Sequence, residues 1–181
     1  MLGQLKRKAL NLSVRNGLAG NFDALSNMKR LARLRGSDLQ VREFALSILR
    51  NAGINSHDYG REALAIGDFV KNNVTYRRDP EGTEHLIDPL LMIQDIQQRR
   101  AEGDCDDMSL LIATLLISIG CQPFFRTVRY EGRFGSFNHV YVVVYDRDGK
   151  NRSRRIVLDA IIKDKPIGFE IAHASGQEHA V

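Results

Sequence analysis

The chain has 181 residues, of which 43% are hydrophobic and 27% are charged, and its formal net charge is +4 at pH 7. This length and this ordinary composition predict one soluble domain with a sizeable hydrophobic core. The sequence contains neither an apolar run of transmembrane length nor a signal-peptide pattern, which argues against a membrane-spanning or exported protein. We therefore expect a protein that is made in the cytoplasm.

The positive charge is concentrated near the N-terminus. Residues 1–50 hold ten Lys or Arg and three acidic residues, which is +7, so the remainder of the chain carries −3. Such a segment is typical of a solvated helical face, and it also suits docking on an acidic partner. Nucleic-acid binding is the weaker alternative, because the segment lacks interleaved aromatic residues for base stacking.

The N-terminal third of the chain predicts helices. Residues 1–20 predict a weakly formed helix or an arm, and two amphipathic helices follow, one over 22–35 and one that ends near Gly53. This part of the sequence has no chemical motif. We interpret residues 1–55 as a basic helical appendage and residues 56–181 as the main domain.

The middle of the chain predicts a helix, a loop and a second, shorter helix. Apolar spacing indicates a helix over 59–72, followed by an extended stretch over 73–76. Pro and Gly predict a loop over 77–82. A short helix then starts at Asp88 and reaches Arg100, and a turn leads from it to the most apolar helix of the chain.

That most apolar helix begins after a polar turn and is predicted to be the centre of the domain. Because its side chains are apolar on nearly every side, it should be buried all round. Asp104 can cap its first turn, and Asp106 and Asp107 suit the positive end of the helix dipole. Cys105 therefore lies at the helix N-terminus, where backbone N–H groups favour a thiolate while the flanking carboxylates disfavour it.

The C-terminal part of the sequence predicts strands. β-Branched and aromatic residues indicate strands over 123–130, 137–145 and 154–159. A glycine-bearing loop is predicted over 131–136, and Asp-Gly at 148–149 is a hairpin signal. The tail beyond these strands has little pattern and is predicted to be loose.

The two cysteines are predicted to be free thiols. Cys105 and Cys121 lie at opposite ends of one predicted helix, about 24 Å apart, whereas a disulfide needs Cα atoms about 5.5 Å apart. Their spacing does not resemble a zinc site. We interpret Cys121 as structural, and we expect the histidines outside the candidate site to be solvated or to lie in loose segments; these are His57, His85, His173 and His179.

A histidine that could serve Cys105 comes from the predicted hairpin. If the hairpin is symmetric about Gly149, His139 lies directly opposite Asp159, within reach of a hydrogen bond. A Cys105–His139–Asp159 set has the residue types of a nucleophile, a general base and a group that orients the base. A slip of one residue would place the two side chains on opposite faces of the sheet.

At these residues the sequence resembles the transglutaminase-like cysteine hydrolase superfamily, over about residues 59–162. The motifs that carry the resemblance are Gly103-Asp104-Cys105-Asp106-Asp107, Phe137-Asn138-His139-Val140 and Val157-Leu158-Asp159-Ala160, with the upstream stretches 69–76 and 82–85 and Pro89 resembling the bacterial and phage branch.

The resemblance implies an α+β, papain-like fold, in which a central buried helix packs on a small antiparallel sheet. It implies acyl transfer at an amide of a protein or peptide substrate, with Cys105, His139 and Asp159 as catalytic residues and with no metal or cofactor. Some transglutaminases carry Trp after the Cys, where this chain has Asp106 and no Trp at all. We therefore expect hydrolysis rather than cross-linking.

The oxyanion donors are less defined than the triad. The backbone N–H of Cys105 at the helix N-terminus can supply one hydrogen bond to the oxyanion. Candidates for a second donor are Gln97, Gln98 and Asn138.

A non-catalytic role is the alternative to an enzyme. Phage and prophage genomes encode many small proteins that resemble this branch, so the chain can also be a structural or docking component that retains the fold. In that case the basic N-terminal helices would dock on other phage structural proteins, and the protein would be associated with the virion. In both interpretations we expect no membrane partner.

Overall fold

The computed structural model describes residues 9–12, 18–54, 57–80, 84–130, 137–146 and 154–181. The helices in this part of the chain are α1 Leu18–Gly36, α2 Leu39–Asn51, α3 Tyr59–Asn73, α4 Pro89–Gln97 and α5 Cys105–Ser118. The strands are β1 Ala9–Leu12, β2 Thr75–Tyr76, β3 Glu84–Ile87, β4 Glu102–Gly103, β5 Phe124–Arg129, β6 His139–Tyr145, β7 Arg155–Leu158 and β8 Ser175–Ala180. The protein is thus a mixed helix-and-sheet structure.

Helix α5 is the centre of the structure, as predicted. Its apolar side chains between Met108 and Leu116 are enclosed, with Leu111, Ala113 and Leu115 each 0% exposed. Helices α1 to α4 pack around it, and strand β6 covers a further side. An apolar helix needs this surrounding because it has no polar face to turn towards water.

The N-terminal helices share their core with the rest of the chain. Met28 and Leu31 of α1 and Val41 of α2 belong to the same hydrophobic cluster as the buried residues of α5. The division of the chain at residue 55 stays a prediction. None of the helices in the described ranges is long and apolar enough to cross a membrane.

The main sheet is antiparallel, with the strand order β7-β6-β5-β8. Strand β6 lies inside it and is buried on both faces. Val140 and Val142 point towards the core that contains α5, whereas Tyr141 and Val143 pack on the opposite, outer face. His139 is the first residue of β6 and shares the parity of Tyr141, so its side chain belongs to the outer face.

The predicted hairpin register is wrong by two residues. The structure pairs Val142 with Leu158 and Val143 with Val157, so His139 is not directly opposite Asp159. A shift of two residues keeps both side chains on the same face, because side chains alternate with a period of two. His139 and Asp159 therefore meet diagonally. The predicted loop at 131–136 and the predicted turn at 148–149 lie outside the described residues.

The tail is not loose, which corrects the prediction. Strand β8 pairs antiparallel with β5 and forms an edge of the main sheet. Its polar sequence has little of the apolar alternation by which strands are recognised, and the β5 ladder orders it. His179 contacts the Thr127 hydroxyl at 3.0 Å, and His173 contacts Arg126 at 3.0 Å.

Two further strand pairs lie near the start of α5. Residues 9–12, predicted as part of a weak helix or an arm, form β1 and pair antiparallel with β3. Strands β2 and β4 pair in parallel, which places Tyr76 beside Gly103. Because Gly103 immediately precedes the polar turn of α5, this second pair fixes the approach of the chain to Cys105.

Candidate active site

Cys105 is held at the start of α5 by a capping box. The Asp104 carboxylate accepts hydrogen bonds from the backbone N–H groups of Asp106 at 3.0 Å and Asp107 at 3.3 Å. In return, the backbone N–H of Asp104 donates to the Asp107 carboxylate at 3.3 Å. This reciprocal pattern satisfies helix N–H groups that have no partner within the helix. The predicted cap is confirmed.

Asp107 also connects the helix to strand β3. Its second carboxylate oxygen accepts a hydrogen bond from the backbone N–H of Ile87 at 2.7 Å. Burial, assisted by the nearby Asp104 charge, raises the pKa of Asp107 to about 8. A side chain at Gly103 would place a Cβ 2.8 Å from the Asp107 Cβ and 2.9 Å from the Met92 Cε, so this tight turn requires glycine.

The first turn of α5 is bonded to the beginning of strand β6. The hydroxyl of Ser109 donates a hydrogen bond to the Val140 carbonyl at 3.1 Å. The backbone N–H of Val140 forms a hydrogen bond with the Cys105 thiol that favours the thiolate. Since Val140 directly follows His139, these contacts place the thiol beside the end of the strand that carries His139.

The surroundings of the Cys105 thiol disfavour its ionised form. Burial raises the pKa of Cys105 well above its usual range, the charges of Asp106 and Asp104 raise it further, and the Val140 amide opposes them. The thiol donates a hydrogen bond to the Asp106 carboxylate at 3.3 Å. Among the described residues, the hydrogen bonds of the thiol do not include one to His139.

Replacing Asp106 with Asn is expected to make Cys105 more reactive. The change removes the nearest negative charge, so the pKa of the Cys105 thiol should fall. We expect iodoacetamide to alkylate Cys105 about threefold to tenfold faster at neutral pH, a gain limited by the lower nucleophilicity of a more acidic thiol. Mass spectrometry of the modified peptide measures the rate. Asp68→Asn, at an exposed site on α3, is the control, and an unchanged or slower rate in Asp106→Asn would contradict this account.

His139 and Asp159 form a buried hydrogen-bonded pair. The His139 Nε2 lies 2.8 Å from the Asp159 Oδ2, and the residues are 6% and 5% exposed. The other carboxylate oxygen of Asp159 accepts the backbone N–H of Ile161 at 3.3 Å. Two partners therefore fix the carboxylate. Because Nε2 is bonded to Asp159, Nδ1 is the ring nitrogen left for a proton transfer.

Two tyrosines contact the imidazole. The Tyr130 ring stacks on His139 with centroids 5.6 Å apart and planes 21° apart, and the Tyr141 ring lies at 5.6 Å with a tilt of 36°. Burial raises the pKa of Tyr130, and the charges of Asp159 and of Cys105 raise it further. The Tyr130 hydroxyl thus interacts electrostatically with Asp159 and with Cys105, two residues of the predicted triad.

A third tyrosine, Tyr76, also interacts electrostatically with the thiol. Burial raises the pKa of Tyr76 on β2, and the charges of Cys105 and Asp104 raise it further. Sequence reasoning missed Tyr76 and Tyr130. Neither lies in a motif, and each reaches the site only through strand pairing. A signal was present for Tyr130, since it ends the predicted strand that precedes the His139 strand along the chain.

The candidates for a second oxyanion donor are exposed. Gln97 and Gln98 lie at the end of α4 with their side chains in solvent. The Asn138 side chain is also exposed, while its backbone N–H donates to the Val128 carbonyl at 3.0 Å. Their roles at the oxyanion, and that of the Cys105 backbone N–H, stay predictions.

One group of side chains has the composition of a metal site. Asp104, Cys105 and Asp106 offer ligand atoms that lie within 4.8 Å of one another. These atoms already have other partners, because the Asp104 carboxylate caps the helix and the thiol is bonded to Asp106. We assign no metal to this cluster.

A groove of about 530 Å³ lies elsewhere on the molecule, between α2 and α3. Its walls include Ile48, Leu64 and Phe69, with Arg61 and Asp68 among the polar residues. The residues of the predicted triad do not line it.

No family model and no curated protein matches this chain. A similar solved structure is a "putative protease" from Parabacteroides distasonis ATCC 8503, with a TM-score of 0.54 and 15% identity, covering 79% of this chain and 26% of that one. Another is a "putative cysteine protease" from Cytophaga hutchinsonii, with a TM-score of 0.44 and 18% identity, covering 78% of this chain and 50% of that one.

The chain therefore spans about a quarter of the length of the first structure and half of the second. At 15% identity, the likeness to the Parabacteroides distasonis structure concerns the fold. This chain thus has a fold similar to that of the "putative protease" from Parabacteroides distasonis.

Proposed function

We propose that this chain is a cysteine-dependent enzyme of the transglutaminase-like type that hydrolyses amide bonds in a protein or peptide. Cys105 is the nucleophile, His139 is the general base and acid, and Asp159 orients the imidazole. The observation that carries the proposal is the buried 2.8 Å hydrogen bond between His139 and Asp159, at the strand end where the Val140 amide binds the Cys105 thiol.

The reaction begins with the thiol turning from Asp106 towards Nδ1 of His139. The imidazole takes the thiol proton, and the sulfur attacks the carbonyl carbon of the substrate amide. The backbone N–H of Cys105 donates to the resulting oxyanion. The imidazolium then protonates the departing amine, which leaves a thioester on Cys105.

Hydrolysis of the thioester completes the cycle. His139 removes a proton from water, the hydroxide attacks the thioester carbonyl, and the thiolate leaves and regains its proton. Asp159 keeps its hydrogen bond to the imidazole and stabilises the imidazolium in both halves of the reaction. Water is the acceptor in this proposal, because Asp106 stands where some transglutaminases carry the Trp that assists cross-linking.

Selective alkylation tests this function. A thiol whose pKa is raised reacts slowly unless a base removes its proton, so the reactivity of Cys105 should depend on His139. We expect iodoacetamide to label Cys105 faster than Cys121 at neutral pH, and His139→Ala to slow labelling by about tenfold or more. Mass spectrometry resolves the two peptides, so Cys121 is an internal reference, and His57→Ala at an exposed position is the matched control.

A second candidate function is a non-catalytic binding module that keeps the fold. The observation that favours it is the Cys105 thiol, whose pKa is raised by burial and which donates a hydrogen bond to Asp106. If Cys105 and Cys121 are labelled equally slowly, and His139→Ala has no effect, the enzymatic proposal is wrong and the binding module is favoured.

A further inference from the structure

We propose that Tyr130 is a positioning residue, whose ring holds the His139 imidazole in the orientation that the reaction needs. The inference rests on the function proposed above. In this inference the aromatic ring of Tyr130 orients the imidazole, and the hydroxyl is not required. Tyr130 acts through His139, without itself bonding to the reacting atoms.

The imidazole needs more than its hydrogen bond to be held. Rotation about the bond between Cβ and the ring is broad for histidine, since it joins a tetrahedral carbon to a planar ring. The Nε2 atom lies close to that rotation axis, so its bond to Asp159 restrains the rotation only weakly. A flat surface against the face of the ring restrains the same rotation strongly. Without one, rotation about this bond takes Nδ1 out of the orientation that a proton transfer requires.

Tyr130 provides that surface. Its ring centroid lies 5.6 Å from that of His139, and the two planes differ by only 21°, which is a stacked arrangement. Strand pairing explains the contact, because Val128 lies directly opposite His139. Tyr130 is two residues beyond Val128 on the same face, the diagonal position from which an aromatic side chain reaches its neighbour.

The second aromatic contact is anchored independently. Tyr141 lies 5.6 Å from His139 with a tilt of 36°, and its hydroxyl donates a hydrogen bond to Glu170. Arg155 binds the same carboxylate with two hydrogen bonds, at 2.7 Å and 2.9 Å. The Tyr141 ring is thus fixed by the network on the outer face of the sheet. Tyr130 completes the support of the imidazole with the more nearly parallel ring.

Two substitutions separate the ring from the hydroxyl. Tyr130→Phe keeps the stacked ring and should leave the rate of Cys105 alkylation by iodoacetamide within about twofold of the wild type. Tyr130→Leu removes the flat ring and should lower the rate about fivefold or more. Tyr145→Leu is the matched control, because Tyr145 is on the same sheet but contacts Phe124 and Glu178.

A double-mutant cycle separates positioning from a general loss of structure. If Tyr130 acts through His139, Tyr130→Leu should have no further effect in a protein that already carries His139→Ala. An equal loss in both backgrounds, or a loss in Tyr130→Phe as large as in Tyr130→Leu, overturns the inference. The midpoint of urea unfolding shows whether a variant has merely lost stability. If Tyr130→Leu has, the alkylation rate of Tyr130→Phe relative to the wild type still decides whether the ring is sufficient.

The outcomes distinguish this inference from the function on which it rests. If His139→Ala slows alkylation of Cys105 and Tyr130→Leu does not, the enzyme proposal stands and the positioning role is wrong. If His139→Ala has no effect, the enzyme proposal fails and the positioning role fails with it.

Discussion

The free energy of unfolding is expected to fall by several kcal/mol as the pH rises from about 4 to about 8, because of one carboxyl group. The pKa of Asp107 is about 8 in the folded protein, whereas an Asp in an unfolded chain has a pKa of about 3.9. Between these values the folded state binds a proton that the unfolded state releases. The stabilisation is complete below the unfolded pKa and is lost as the pH approaches the folded pKa.

Urea unfolding at a series of pH values measures this loss, and Asp107→Asn removes its cause. Asn cannot ionise, and its side-chain oxygen can still accept the hydrogen bond from the Ile87 amide. We therefore expect a nearly flat dependence in this variant over the same range of pH. Asp68→Asn should keep the wild-type dependence. A wild-type protein whose stability does not change over this range would contradict the burial of an ionisable group at the start of α5.

The carboxyl group of Glu170 affects the free energy of unfolding at low pH. The hydrogen bonds from Arg155 lower the pKa of Glu170 to about 2, so its contribution is present at higher pH and is lost as the pH falls towards that value. Asp107 and Glu170 therefore have opposite effects on how the free energy of unfolding changes with pH. Together they favour a stability maximum on the acid side of neutrality, where Glu170 is ionised and Asp107 is still protonated.

The features that the sequence predicts well are those set by local patterns. Helix α5 is predicted because its apolar side chains leave no polar face, and its start is predicted because Asp104 is a good N-cap followed three residues later by Asp107. Strand β6 is similarly marked by its β-branched residues. In each case the cause of the structure lies within a few residues of its effect.

The features that the sequence does not predict depend on pairing between distant segments. The polar strand β8 exists because β5 offers it an edge, and nothing within 175–180 indicates that edge. The pairing of Val142 with Leu158 fixes the register between β6 and β7, and the Asp-Gly signal in the sequence does not specify that pairing. The contact between His139 and Asp159 was nevertheless anticipated, because an error of two residues preserves the face of each side chain.

Removing the Asp159 side chain is expected to cost both stability and reactivity. In Asp159→Ala the buried Nε2 of His139 and the Ile161 N–H lose their acceptor, which we expect to lower the free energy of unfolding by about 3 kcal/mol. The imidazole would also lose the carboxylate that stabilises its charged form. We therefore expect alkylation of Cys105 to slow by about tenfold at neutral pH.

Urea unfolding and iodoacetamide labelling of the folded protein measure these two effects separately, and Asp159→Asn tells them apart. Asn keeps an acceptor oxygen of nearly the same shape, so much of the stability should return, while the negative charge that supports an imidazolium does not. A structural role alone predicts that Asn restores reactivity together with stability. The triad predicts that stability recovers and the reactivity of Cys105 stays low, because the proton transfer depends on the charge of Asp159 as well as on its position.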